Sequence, residues 1–149
     1  IRLKDIANNV HLSEIYFHSI FKEFVGKSPH QYLIDCRIEH AKKLLWNVNT
    51  PISLVAEKSG FGCQQYLTKV FKKETGKSIS DFIREERIKA AANMLKYSEY
   101  SYGDIAEYFG FASQSHFIEC FRKQTGLSPK EYRKKYSRNQ ELFSGKSLE

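Results

Sequence analysis

A segment of about fifty residues occurs three times along this 149-residue chain, and that repeat limits the folds open to it. Ile6-Ala7 returns as Val55-Ala56 and Ile105-Ala106. Phe21, Phe71 and Phe121 are each followed by a basic residue, Lys22, Lys72 or Arg122. Five positions after each Phe stands Gly26, Gly76 or Gly126, then Ser28, Ser78 or Ser128, then an aromatic, Tyr32, Phe82 or Tyr132. Arg37-Ile38 recurs as Arg87-Ile88, but position 137 is Ser, so the third copy stops early.

Within a copy the apolar spacing is helical. Leu3, Ile6, Ala7 and Val10 fit one short helix. Phe17, Ile20, Phe21 and Phe24 form one stripe of a second, matched by Leu67, Val70 and Phe71 and by Phe117, Cys120 and Phe121. Ser13 suits an N-cap, and the three glycines suit the left-handed residue that closes a helix. Ser28 with Gln31, and Ser128 with Glu131, match the capping box; Pro29 and Pro129 stand where a first-turn proline is tolerated. Asp81 holds the same place after Ser78. The turn between the first two helices carries Gly60 or Gly110, which allow positive φ. In the first copy the turn is one residue shorter and carries His11, a residue that tolerates positive φ better than most. Long helices from about Ser28 to Trp46 and Ser78 to Lys96 join the copies, and Thr50-Pro51 and Ser101 read as the next starts. No alternating strand pattern is present. The expectation is an all-α chain of about nine helices: tandem helix-turn-helix (homeodomain-like three-helix) units joined by long linker helices. The segments are 1–47 (first unit plus linker helix, leading helix missing), 48–97 (second unit plus linker helix), 98–136 (third unit) and 137–149, a flexible tail.

Charge points to a polyanionic partner. There are 24 Lys and Arg against 17 Asp and Glu, a net charge of +7. The excess is shared along the chain rather than gathered in a tail, so it belongs to the folded units. No apolar run is long enough to span a membrane. Three cysteines without a CxxC pair suit a reducing compartment, and the expected location is the cytoplasm.

Three segments in order, IANNVHLSEIYFHSIFKEFVGKSP, RIEHAKKLLWNVNTPISLVAEKSGFGCQQYLTKVFKKETGKS and RIKAAANMLKYSEYSYGDIAEYFGFASQSHFIECFRKQTGLSPKEYRKKY, resemble the AraC/XylS regulators. The resemblance covers nearly all of residues 3–136. It implies two helix-turn-helix units joined by a long helix, with the second helix of each unit meeting DNA in successive major-groove segments. This chain departs from that pattern by carrying three units and by lacking the helix that precedes the first. Copies one and two form a family-like pair. So do copies two and three, with the Ser28–Trp46 helix as leading helix, and the sequence leaves both pairings open. An effector or receiver domain is expected outside this chain.

A second helix that turns its stripe inward offers the positions seven, six, three and two before the repeat Phe to base edges. In copy two these are Gln64, Gln65, Thr68 and Lys69: glutamine pairs with adenine, lysine donates to guanine, and threonine touches a thymine methyl. Copy three offers Gln114, Ser115, Ile118 and Glu119. Copy one offers Glu14, Ile15, His18 and Ser19, with no Arg, Lys, Asn or Gln among them. Lys22, Lys27, Lys72, Lys73, Lys77, Arg122 and Lys123 are candidates for phosphate contact. The plainer reading is that these side chains are solvated surface, with the basic ones complementing helix C-termini.

Other groupings carry little chemistry. Cys36 and His40 at i, i+4 lack further ligands. Cys63 reads as an incidental small residue near a helix start, Cys120 as core, and His116, which repeats Tyr66, as packing. There is no nucleophile–base pair, phosphate-binding loop or HExxH motif, so neither an enzyme nor a cofactor or metal is expected. The expected function is sequence-specific binding of double-stranded DNA in transcription regulation, with RNA polymerase as a possible further partner. The alternative is a helical protein–protein interaction module that keeps the fold without base readout.

Overall fold

A computed structural model of the chain describes residues 3–47 and 50–137. Their regular structure is entirely helical: α1 (Leu3–Asn9), α2 (Glu14–Val25), α3 (Pro29–Leu45), α4 (Ile52–Lys58), α5 (Gln64–Thr75), α6 (Ile79–Tyr97), α7 (Tyr102–Tyr108), α8 (Gln114–Thr125) and α9 (Pro129–Tyr136). Of the tail expected over 137–149 only Ser137 is described; it closes α9, its N–H donating to the Arg133 carbonyl at 2.8 Å.

Local chemistry sets the helix ends. Ser13, Ser28, Ser78, Ser101, Ser113 and Ser128 are extended residues whose hydroxyls accept a first-turn N–H. At Ser101–Asp104 and Ser128–Glu131 the carboxylate also returns to the cap N–H, completing a capping box. The box expected at Ser28–Gln31 forms only by half. The Ser28 hydroxyl accepts from the Gln31 N–H at 3.2 Å, but the Gln31 amide turns away to donate to Asp35 and Glu74, both at 2.9 Å. Ser78–Asp81 stops in the same way: the hydroxyl accepts the Asp81 N–H and donates to its carboxylate. Gly26, Gly76 and Gly126 close α2, α5 and α8 at φ of 76°, 74° and 78°, in the left-handed region where a Cβ is penalised.

The chain divides into two compact units, Ile1–Gly76 and Lys77–Glu149. In the second, α6 packs against α8 and α9, and α7 packs against α8. Ile88, Ala91, Ala92 and Leu95 of α6 form one core with Ile105, Ala106, Phe117 and Phe121. Phe117 and Phe121 meet edge-on at 5.6 Å, and Tyr132 closes on Phe121 at 5.2 Å. In the first unit α3 does for the second copy what α6 does for the third. It packs against α4 and α5, and Ile38, Ala41 and Leu45 are buried with Val55, Ala56, Leu67 and Phe71.

The first copy differs. Its stripe has the same helical spacing, but α2 contains no buried residue. Phe17, Ile20 and Phe21 are half-buried, Phe24 is 84 % exposed, and Ile6 and Val10 are exposed beside them. Among the described residues no long helix precedes α1 to cover this face as α3 and α6 cover theirs. Replacing the fully enclosed Phe121 by Ala is expected to cost about 3–5 kcal/mol. Phe24→Ala is expected to stay within about 0.5 kcal/mol. Urea unfolding of the whole chain followed by circular dichroism measures both, and a comparable loss at Phe24 would show that its face is covered in solution.

Candidate nucleic-acid interface

Burial of the inner stripe determines what each second helix shows outward. On α5, Leu67 and Phe71 are buried and Val70 is half-buried, which leaves Gln64, Gln65, Thr68 and Lys69 exposed together. Cys63 is the N-cap residue, extended and without a side-chain capping bond. On α8, Phe117 and Phe121 are buried; Gln114, Ser115 and Glu119 are exposed, while Ile118 is half-buried against the core. Gln114 also leans back: a Cβ on Gly103 of α7 would stand 3.2 Å from its Oε1. On α2, Glu14, Ile15, His18 and Ser19 are all exposed, Ile15 at 85 %. His116 packs on Phe111 at 5.9 Å, as Tyr66 packs on Phe61 at 5.7 Å, in keeping with its packing role. Its Nε2 also lies 3.4 Å from the Cys120 sulfur, and Cys120 is half-buried at the edge of the core.

The basic residues fall into two groups. Lys22 is in the last turn of α2, Lys72 and Lys73 in that of α5, and Arg122 and Lys123 in that of α8; all are exposed. Lys27 and Lys77 follow the closing glycines and are engaged in ion pairs, Lys27 with Asp35 at 2.7 Å and Lys77 with Glu85 at 2.5 Å. The Lys27 ammonium and the Gln31 amide both donate to Asp35 and hold its carboxyl below the usual carboxylate range, while the same pairing raises Lys27. The Ser78 hydroxyl, with Arg84 and Lys123 nearby, likewise lowers Asp81. Glu131 is lowered by the Ser128 hydroxyl and N–H, with a smaller contribution from Arg122.

Two arginines that the sequence marked only as a repeat stand at the turns. Arg87 of α6 donates from Nη1 to the Gly110 carbonyl at 3.4 Å, and burial pushes its guanidinium below the ordinary arginine value. Arg37 of α3 lies over Gly60, where an added Cβ would meet its Nε at 3.0 Å. Their signal was the shared offset from each turn glycine, which helical periodicity does not register. Gly60, Gly110 and His11 all take positive φ, of 84°, 69° and 56°.

No group of three or more potential metal ligands occurs among the described residues, and no described helix is long and apolar enough to cross a membrane. The groove lined by Asp81, Arg84, Glu85, His116, Glu119, Cys120, Lys123 and Gln124 is open and of mixed charge.

A short helix, a turn at positive φ, and a second helix with a packed inner stripe and a polar outer face, borne on long helices, define a tandem helix-turn-helix DNA-binding protein. The chain belongs to the AraC-type helix-turn-helix family, whose helix-turn-helix domain model matches residues 6–82 and again 64–135. It is similar to the uncharacterized HTH-type transcriptional regulator YobQ of Bacillus subtilis, 38 % identical over 61 residues, 41 % of this chain and 25 % of that protein. It is similar to the lactose operon transcription activator of Staphylococcus xylosus, 33 % identical over 41 % of this chain and 22 % of that one. The matched stretch thus spans about a quarter of these relatives' length. Among solved structures, the C-terminal domain of AraT, a response regulator from Geobacillus stearothermophilus, superposes with a TM-score of 0.57 at 27 % identity, covering 74 % of this chain and 88 % of that one. These are proteins of DNA-binding and transcription regulation, not a family of enzymes.

A depressed carboxyl contributes stability at pH above its unfolded-state value, and that contribution is lost as pH falls through the lower folded value. Carbon-detected NMR titration is expected to place the Asp35 midpoint below the ordinary carboxylate value. In Lys27→Met the midpoint should rise, but only partway, because Gln31 still donates. An unmoved midpoint would mean that the ion pair does not persist in solution.

Proposed function

We propose that this chain reads DNA sequence in the major groove, with α5 as the principal reader and α8 as the second, and that it regulates transcription by doing so. The observation that carries the reading is the outer face of α5, where Gln64, Gln65, Thr68 and Lys69 are exposed together on a helix whose opposite face is packed. Glutamine offers the paired donor and acceptor that match adenine N6 and N7, lysine donates to guanine O6 and N7, and the threonine methyl fits thymine. On α8, Gln114 suits adenine, Glu119 accepts from cytosine N4, Ser115 serves either base edge, and Ile118 meets a thymine methyl with the part of its surface left open.

Lys22, Lys72, Lys73, Arg122 and Lys123 reach phosphates and set the register. Lys27 and Lys77 do so less, since contact with a phosphate competes with Asp35 and Glu85. For the first copy a specific observation favours another use. Besides His18 and Ser19, its α2 exposes Ile15 at one end and Phe24 and Val25 at the other, apolar groups better suited to a protein partner in the transcription machinery, such as RNA polymerase, than to bases.

Selection from random duplexes at physiological salt tests the reading. Two enriched elements about one helical turn apart are expected. Three elements would mean that α2 also reads bases; salt-sensitive binding with no enriched motif would remove base readout from the proposal. On the selected duplex, Gln65→Ala with Lys69→Ala should weaken specific binding by about tenfold or more while leaving random-duplex binding nearly unchanged. Lys72→Ala should weaken both and reduce the salt slope by about 0.9. Equal losses on both duplexes for the α5 pair would make those residues phosphate contacts instead.

A further inference from the structure

The long helix that carries each complete unit also touches it at two points outside the core. The first is the turn. Arg87 Nη1 donates to the Gly110 carbonyl, and the Arg87 Nε is buried with no acceptor among the described residues. Arg37 comes closer to Gly60: a Cβ there would stand 3.0 Å from its Nε, so the guanidinium would have to shift slightly. The second point is the far end of the reading helix. Gln124 of α8 donates to the Glu85 carbonyl at 3.0 Å; at the same repeat position Glu74 of α5 accepts from Gln31 at 2.9 Å.

The first copy is the internal comparison. Its turn residue, His11, holds φ of 56° with a full side chain, and no described helix lays an arginine over it. At that angle, in the shorter turn of the first copy, a non-glycine residue is accommodated, whereas Gly60 and Gly110 sit at wider φ of 84° and 69°, where a Cβ is strained. In the second copy the overhead arginine adds a steric demand. At Gly110, where a Cβ would stand 3.8 Å from Nη1, the arginine adds a hydrogen bond instead. The guanidinium faces the C-terminal end of the short first helix, where carbonyls lack helical partners and a cation is favoured.

We propose that Arg37 and Arg87 are positioning residues: each pins the turn of the helix-turn-helix unit that follows it, and so holds α5 or α8 at the angle that core packing gives its outer face. The consequence for base readout rests on the DNA-reading function proposed above; the pinning itself does not. Lysine cannot take the role, because it lacks the flat, many-donor fork that lies over a turn and reaches its carbonyl.

The test uses the whole chain with Arg87→Ala, Arg87→Lys and Arg37→Ala, and two readouts. The amides of Gly110 and Phe111 are tied to Glu107 and Ala106, and those of Gly60 and Phe61 to Glu57 and Ala56, so their hydrogen exchange reports on each turn. Arg87→Ala is expected to speed exchange at Gly110 and Phe111 but not at Gly60 and Phe61, and Arg37→Ala the reverse. Arg87→Lys should not restore slow exchange. Unchanged turn amides would overturn the proposal. So would equal acceleration at Phe117 and Phe121, which would make Arg87 a general support of the core. On the selected duplex, Arg87→Ala should weaken specific binding by about tenfold, as for loss of one base-reading pair, with random-duplex binding and salt slope unchanged. A parallel loss on both duplexes with a shallower slope, restored by lysine, would overturn it by making Arg87 a phosphate contact. If the unsubstituted chain selects no sequence, the DNA-reading proposal fails, and the exchange measurement alone still decides whether the arginines pin the turns.

Discussion

In the second and third copies, what faces outward depends on two aromatic or aliphatic side chains of the second helix being drawn under a long helix. Leu67 with Phe71, and Phe117 with Phe121, are fully enclosed, and the enclosure comes from small and branched residues at helical spacing on the helix before: Ile38, Ala41 and Leu45, or Ile88, Ala91 and Leu95. The alanines, Ala41 and Ala91, are themselves fully buried, and a side chain of one carbon leaves space for the ring of a neighbouring helix. Burial of a ring of this size contributes about 1.5–3 kcal/mol, far more than an exposed ion pair on the same helix. The orientation of the second helix is therefore set mainly by its inner face, and the outer face follows.

That order explains why the polar outer face can vary freely between copies. Position for position, Gln65 becomes Ser115, Thr68 becomes Ile118 and Lys69 becomes Glu119, while the enclosed pair stays aromatic or aliphatic, Leu67 and Phe71 becoming Phe117 and Phe121. A surface whose chemistry is decoupled from the packing that orients it suits recognition, since a change of partner need not disturb the fold. The ties at the helix ends belong to the same logic. The bonds from Gln124 to Glu85 and from Gln31 to Glu74 cross between the long helix and the end of the second helix, where core packing no longer constrains rotation.

Much of this was legible in the sequence because it is written in local, short-range chemistry. The serine caps, the closing glycines, the first-turn prolines and even the positive φ of His11 follow from what one residue does to its own backbone. The exposed quartet on α5 followed from periodicity once the stripe was assigned inward. What was not legible depended on a partner far along the chain. Gln31 looked like half of a capping box, because nothing local shows that Asp35 and Glu74 offer its amide better acceptors. The stripe of α2 looked like those of α5 and α8, because periodicity reports which face is apolar and not whether anything covers it. Ile118 was assigned to the outer face by counting, yet it rests partly on the core.

The first copy shows the two faces of such a helix failing together. Its inner stripe is half open, with Phe24 almost fully exposed, and its outer face has Glu14 and Ile15 in place of the two glutamines and Ser19 in place of the lysine. In the second copy the outer quartet is exposed apart from the packed stripe, so the chemistry of one face there does not dictate that of the other. If the first copy were simply a unit that had lost its readers, the inner face would still be packed. Ile15 on the outer face and Phe24 on the inner stripe are exposed apolar side chains on opposite sides of α2. On the reading proposed for this copy, these side chains suit a protein contact better than the polar edges of a base pair, because apolar area gains free energy only against apolar area.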